Sequence, residues 1–442
     1  MRPDHDPIRQ ALLHGLAPQA ALCVAFSGGR DSTVLLHALS RLRVECQFSL
    51  RAVHVNHGLQ QAAADWEKHC AALASELEVA YSAVRVTVRN ERGQGLEAAA
   101  REARYDALRM QLRGGETLLT AHHADDQLET VLLHLFRGSG VSGLAGIPGD
   151  APFGPGRLCR PLLAVPGEDL AAYGNHVLLP QGLSWLTDPM NADLAYDRGY
   201  LRHAVTPVLR RRFPAAAGAV SRSAGLAAEA AGVLEELARV DARDTTADHR
   251  LALTPLRALS PARQCNLIRY LARERGWVMP PERRLRAGLD QLLGAAPGRQ
   301  PVLRWCGHEI RRFREHLHLL DAGVSADDPA GRPLEWPGVA PLDLGGARGE
   351  LSVRSGTGAG LATGVVADGL QVAFRRGGER VRAGADRHHR TLKYLFQSKG
   401  IVPWMRCHVP LVFARTELAA VADLWTAAWA AAGPTEIGLQ IV

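Results

Sequence analysis

Over its first ~140 residues the chain alternates short apolar runs with segments of helical periodicity, and that alternation admits few folds. Residues 21–27 (ALCVAFS), 49–55 (SLRAVHV), 81–88 (YSAVRVTV) and 116–122 (ETLLTAH) read as strands. Residues 33–42, 65–77, 96–112 and 125–136 read as the helices that follow them. A helix between two strands returns the chain to the same end of the sheet, so such strands pair in parallel. The expectation is an α/β domain with helices on both faces and a ligand at the carboxyl ends of the strands.

Further on the pattern changes. Residues 139–160 are rich in Gly and Pro and read as an irregular connection. Helical stretches are expected at 168–177, 215–240, 256–276 and 281–293, with a loop through Asp188 and Asn191 leading to 196–212. Residues 302–320 alternate as a hairpin would, and 322–341, rich in Pro, Gly and Asp, read as a linker. These shifts predict three parts: a catalytic domain over 1–212, a helical domain over 213–325 and a small α+β domain over 340–442.

Charge singles out the last part. Residues 371–416 hold ten basic and two acidic residues, a net of +8 against +7 for the whole chain. A basic segment on a near-neutral body points to a polyanionic partner such as RNA. No run approaches the ~18 apolar residues of a membrane span. The start, MRPDHDPIRQ, lacks a signal-peptide pattern. Seven scattered cysteines form no C-x-x-C pair, which predicts reduced thiols in a cytoplasmic protein rather than a disulfide framework or zinc site.

The sharpest motif is Ser27-Gly28-Gly29-Arg30-Asp31-Ser32, between the first strand and first helix. Two glycines allow a tight turn and close approach to a ligand, and the helix start offers free N–H groups to an anion. It is neither a Walker loop nor G-x-G-x-x-G. An acid inside an anion site implies either a bridging metal ion or an ordinary helix cap.

This loop resembles the PP-loop of the ATP pyrophosphatase superfamily, whose fold is adenine nucleotide α-hydrolase-like. Three further segments resemble the tRNA(Ile)-lysidine synthetase family: residues 53–59 (VHVNHGL), 96–105 (LEAAAREARY) and 121–130 (AHHADDQLET). Asp188–Asn191, Arg198-Gly199-Tyr200-Leu201-Arg202, residues 375–384 (RRGGERVRAG) and 401–406 (IVPWMR) extend the likeness, with Gly199 where the family usually has Asn. The resemblance implies ATP-dependent joining of L-lysine to the 2-position of the wobble cytidine in a tRNA(Ile) with a CAU anticodon. An adenylated tRNA would be the intermediate, pyrophosphate and AMP the products beside lysidine. Decoding would change from AUG to AUA and identity from Met to Ile.

The resemblance also implies roles. ATP would contact Ser27, Gly28, Gly29, Arg30, Asp31, Ser32, His54 and Arg101 or Arg104. Asp31 and Asp126 would hold Mg²⁺. Glu129 would receive the lysine ammonium, His122 would orient substrate or accept a proton, and Arg202 would clamp phosphate, with Arg198 on phosphate or tRNA. Arg375, Arg376, Arg380, Arg382, Lys393 and Arg406 would bind tRNA. His123 reads as structural rather than catalytic. Trp404 reads equally as an RNA-stacking or a core residue. A homodimer is compatible with the sequence and required by nothing in it. Rival readings are another PP-loop tRNA-modifying enzyme such as a thiolase, a small-molecule AMP-forming ligase, and an inactive tRNA-binding protein.

Overall fold

In the computed structural model, α1 (Pro7–Gly15) leads into β1 (Ala21–Ala25), α2 (Arg30–Cys46), β2 (Ser49–Asn56), α3 (Ala63–Glu76) and β3 (Ala80–Arg85). Then come α4 (Leu96–Gln111), β4 (Thr117–Leu119), α5 (Ala124–Phe136) and α6 (Val141–Leu144). The structure describes the chain apart from residues 1–5, 18, 59–61, 89–95, 189–193, 195, 248–249, 297, 322–331, 339, 346–347, 368, 384–387 and 442. Leu59, Pro189, Met190, Asn191, Gly384 and most of the expected linker thus lie outside the described residues.

The expected parallel sheet is present, in the order β3-β2-β1-β4-β6-β5. Val24 of β1 sits opposite Ala52 of β2 and Leu119 of β4, and all three are fully buried. Alternate residues of one strand serve opposite faces. Leu22 and Val24 pack in one core with Leu35, Leu39 and Leu162, whereas Cys23 packs in another with Val53, Leu108 and Leu158.

Residues 139–160 are more ordered than expected. They form α6 and then a hairpin, β5 (Asp150–Phe153) and β6 (Gly156–Cys159). β6 joins β4 in parallel, and β5 closes the edge antiparallel. The Gly154-Pro155 signal marked a hairpin turn, and strands of four residues are too short to register as a period. α7 (Gly167–Tyr173) follows. Then α8 (Asp197–Tyr200) passes through a π turn, Leu201–Val205, into α9 (Thr206–Arg212).

α10 (Ala216–Thr245) runs from the first compact unit, residues 1–236, into the second, 237–442. The second unit continues through β7 (Thr246–Ala247), β8 (Arg250–Ala252), α11 (Leu253–Ala258), α12 (Pro261–Glu274) and α13 (Glu282–Gly294). The single helix expected over 256–276 is two, because Ser260 caps α12 by accepting from Arg263 N and Pro261 starts it. The expected hairpin at 302–320 is three strands, β9 (Val302–Trp305), β10 (His308–Phe313) and β11 (His316–Asp321). Its second turn, Arg314-Glu315, carries no glycine although Arg314 takes φ +52°, so the sequence hid it. The helical middle region therefore also contains a five-stranded sheet, β7-β8-β11-β10-β9. The C-terminal part is α+β as expected. Five antiparallel strands from Leu334–Trp336 to Trp425–Thr426 pack around Trp336, Val372, Phe396 and Val412, with helix Leu392–Lys399 against them.

Candidate active site

Strand order reverses beside β1, whose neighbours β2 and β4 lead to opposite sides of the sheet. Such a switch point opens a crevice at the carboxyl ends of the strands. A cleft of about 590 Å³ lies there, lined by the loops after β1, β2 and β4.

Its first wall is the loop 27–32. Gly28 has φ +80°, and a Cβ there would lie 2.7 Å from Cys70 Sγ and 2.8 Å from Leu186 Cδ1. Only glycine meets both demands. Leu186 N donates to Gly28 O at 2.9 Å, so a later segment is fastened along the loop. Ser32 Oγ donates to Gly29 O at 2.9 Å and lies 3.0 Å from Ser27 Oγ. No side chain caps the start of α2 at Gly29, which leaves a helix N-terminus for an anion. Arg30 Nε donates to Asp31 Oδ1 at 2.9 Å.

The second wall is the start of α5. His123 caps it: Nδ1 accepts from Asp125 N at 3.2 Å, and His123 N donates to Asp126 Oδ2 at 3.0 Å. Nε2 of the same ring lies 3.5 Å from Asp31 Oδ2 and 3.7 Å from Asp126 Oδ2. Burial would raise Asp31, yet His123 and Arg30 hold its carboxyl below the usual range. Burial would likewise raise Asp126, but His123, His122, Arg198 and Arg202 hold it low. Among the described residues no three ligating side chains form a metal cluster.

Glu129, 1% exposed, lies one turn beyond Asp126. Arg202 donates to its Oε1 at 2.7 Å and Oε2 at 2.9 Å, and to Asp126 Oδ1 at 3.0 Å. Arg198 Nε donates to Glu129 Oε2 at 3.0 Å. The two arginines stand four residues apart where α8 enters the π turn, which turns both toward α5. Glu129, placed in the sequence reading at the lysine ammonium, thus has both oxygens engaged by guanidinium groups.

His122 lines the cleft, with Nδ1 2.8 Å from Thr120 Oγ1. Burial is the main force pushing its pKa down, to about 3, and Arg160, Arg101 and Arg104 add to it. A ring so hard to protonate is neutral near pH 7 and suited to orienting substrate rather than accepting a proton. His54 also lines the cleft, buried, its Nδ1 2.9 Å from Phe26 O. Of the arginine pair on α4, Arg104 reaches the cleft, and burial lowers its pKa. Arg101 is exposed, its guanidinium 5.1 Å from the Tyr105 ring centroid.

The sequence reading missed Trp66, Trp185 and Leu186, which also line the cleft. Trp66 was visible only as a helix aromatic, and nothing in 175–187 signalled that it runs beside the PP-loop. In the second unit, Arg376, Arg380, Arg382 and Lys393 are exposed. Arg375 is half-buried, 3.7 Å from Glu379, and Arg406 Nε donates to Ile401 O at 2.9 Å. Trp404 is a core residue, 2% exposed and edge-on to Phe313 and His318.

Residues 5–209 match the ATP-binding PP-loop domain, 251–318 the TilS substrate binding domain, and 370–442 the TilS substrate C-terminal domain. A tRNA(Ile)-lysidine synthase of Alkalilimnicola ehrlichii is 47% identical over 93% of this chain and 91% of the relative. The chain belongs to the tRNA(Ile)-lysidine synthase family. Family members of the same name from Methylococcus capsulatus and Coxiella burnetii are 40% and 39% identical, over 97% and 92% of this chain and 97% and 89% of theirs. Family membership makes the chain a ligase with ATP as a substrate, and it disfavours the thiolase reading. No helix among the described residues is long and apolar enough to cross a membrane.

Proposed function

We propose that this chain uses ATP to join the ε-amino group of L-lysine to the 2-position of the wobble cytidine of a CAU-anticodon tRNA(Ile), forming lysidine. The observation that carries the reading is the convergence, at one switch-point cleft, of an uncapped helix N-terminus with Asp31, Asp126 and Arg202, the last held by buried Glu129.

ATP lies with its phosphates against residues 27–32 and its base toward His54. The cytidine O2 attacks the α-phosphorus, and the bond to pyrophosphate breaks. The lysine amine then attacks C2 of the adenylated base and AMP leaves. Both steps gather negative charge on phosphate oxygens, which preset cations stabilise. Arg202 and Arg104 face that charge from the cleft lining.

Asp31 and Asp126 suit Mg²⁺, because their carboxylates approach one imidazole nitrogen and both are held ionised. Asp31 and Asp126 would hold the ion from the protein side, leaving room for phosphate oxygens and water. Bound there, it supplies charge neutralisation at the phosphates.

Free lysine carries ammonium and carboxylate groups, and the cluster offers both signs in return. For Glu129 to take the ammonium, one arginine must yield an oxygen of that carboxylate. The exposed basic residues of 375–393 provide the phosphate contacts that hold the tRNA.

The test is transfer of labelled lysine to unmodified CAU-anticodon tRNA(Ile) with ATP and Mg²⁺, with elongator tRNA(Met) as control. ATP-dependent label on the isoleucine tRNA alone is expected. AMP release without lysine transfer would point to a different nucleophile and overturn the reading.

A further inference from the structure

The mechanism above gives no part to His123, yet its ring lies between both walls of the cleft. We propose that His123 is a positioning residue: Nδ1 caps α5 while Nε2 fixes the spacing of Asp31 and Asp126. The proposal rests on reading those two carboxylates as the site of ATP activation.

Three observations carry it. First, the cap dictates the tautomer. Nδ1 accepts from Asp125 N at 3.2 Å, so the ring proton sits on Nε2. Second, that N–H lies 3.5 Å from Asp31 Oδ2 and 3.7 Å from Asp126 Oδ2. These distances exceed a direct hydrogen bond, so the link is electrostatic and orients both carboxylates without consuming them. Asp31 rides on the PP-loop and Asp126 on α5, and one ring bridges the two motifs. Third, the ring is itself fixed. It is 6% exposed, and a Cβ at Gly167 would come within 3.1 Å of its Cε1. A residue needed only as a cap would be Ser, Thr, Asp or Asn, which are the favoured types. The second nitrogen gives a reason for the larger side chain.

Two substitutions separate the nitrogens. In His123→Asn the amide oxygen can replace Nδ1 as cap but cannot reach the carboxylates. In His123→Gln the amide nitrogen can replace Nε2 but the cap is lost. The readout is the melting temperature of the full chain, with a non-hydrolysable α,β-methylene ATP analogue and rising Mg²⁺. Expected for His123→Asn is a wild-type melting temperature without ligand and about tenfold more Mg²⁺ for half of the metal-dependent shift. Expected for His123→Gln is a melting temperature about 2–4 °C lower, with the Mg²⁺ dependence of wild type. A His123→Asn chain with unaltered Mg²⁺ dependence would overturn the proposal alone. A wild-type chain unmoved by analogue and Mg²⁺ would overturn the ATP reading with it.

Discussion

The ATP cleft and the basic C-terminal region, each proposed to meet a polyanion, hold their charges in opposite ways. In and beside the cleft, carboxylates lean on guanidinium groups: Asp31 on Arg30, Asp125 on Arg210, and Asp126 and Glu129 on Arg198 and Arg202. In the C-terminal region Arg376, Arg380, Arg382 and Lys393 are exposed and have no ion-pair partner among the described residues. Paired, half-buried charges have fixed geometry, and removing one strands the others. Exposed cations act as a field, interchangeable and screened by salt. The first arrangement suits bond making at a defined point, and the second suits gripping a long phosphate backbone.

The largest effect is expected where that contrast is sharpest. Asp31→Ala or Asp126→Ala should slow tRNA-dependent pyrophosphate release by about 10³-fold or more while filter-binding affinity for tRNA stays near wild type. A parallel loss of tRNA binding would erase the division of labour. Glu129→Ala comes next. Arg198 and Arg202 then share Asp126 as their one remaining carboxylate, so lysine transfer should fall roughly 10²-fold and urea unfolding should show about 2 kcal/mol less stability. That figure is below the usual cost of breaking a buried pair because both guanidinium groups are partly exposed.

Replacing Arg376, Arg380, Arg382 and Lys393 together by Ala should weaken tRNA binding by roughly tenfold to a hundredfold. It should also lower the slope of log affinity against log salt by up to about 3, with binding of an ATP analogue unchanged. An unchanged slope would mean these cations do not touch phosphate. The last effect concerns pH, and the cleft should carry it. His122 is pushed down to about 3, so below its ordinary value near 6.5 the unfolded chain binds a proton that the folded chain refuses. Stability from this group is therefore full above pH 6.5 and falls as pH drops toward 3. His122→Gln should remove that fall, by at most about 1.4 kcal/mol per pH unit, and thermal melts from pH 7 to 4 should show the two curves separating.

What the sequence disclosed follows the range of the forces involved. The PP-loop, the strand–helix alternation and the α5 motif are local, and each carries a local signature: glycines, period, a run of polar residues at a helix start. Glu129's partners are not local. Arg198 and Arg202 lie about 70 positions away, and only the fold shows that they take its oxygens. The same holds for Leu186, whose backbone pairing with the PP-loop leaves no mark in composition. The strand at Gly156–Cys159 and the third strand of the 302–321 sheet escaped because short strands and glycine-free turns resemble loops. His123 reads as structural in the sequence, and both its cap and the position of its second nitrogen are seen only in the fold.

An arginine that swings in from solvent to meet a transition state must shed water and freeze its rotamers at every turnover. The grip of Glu129 on Arg198 and Arg202 moves that reorganisation to the time of folding. On the proposed reading, phosphate would then meet guanidinium groups already aligned, and the search would shrink to the one arginine that yields an oxygen of Glu129 to lysine.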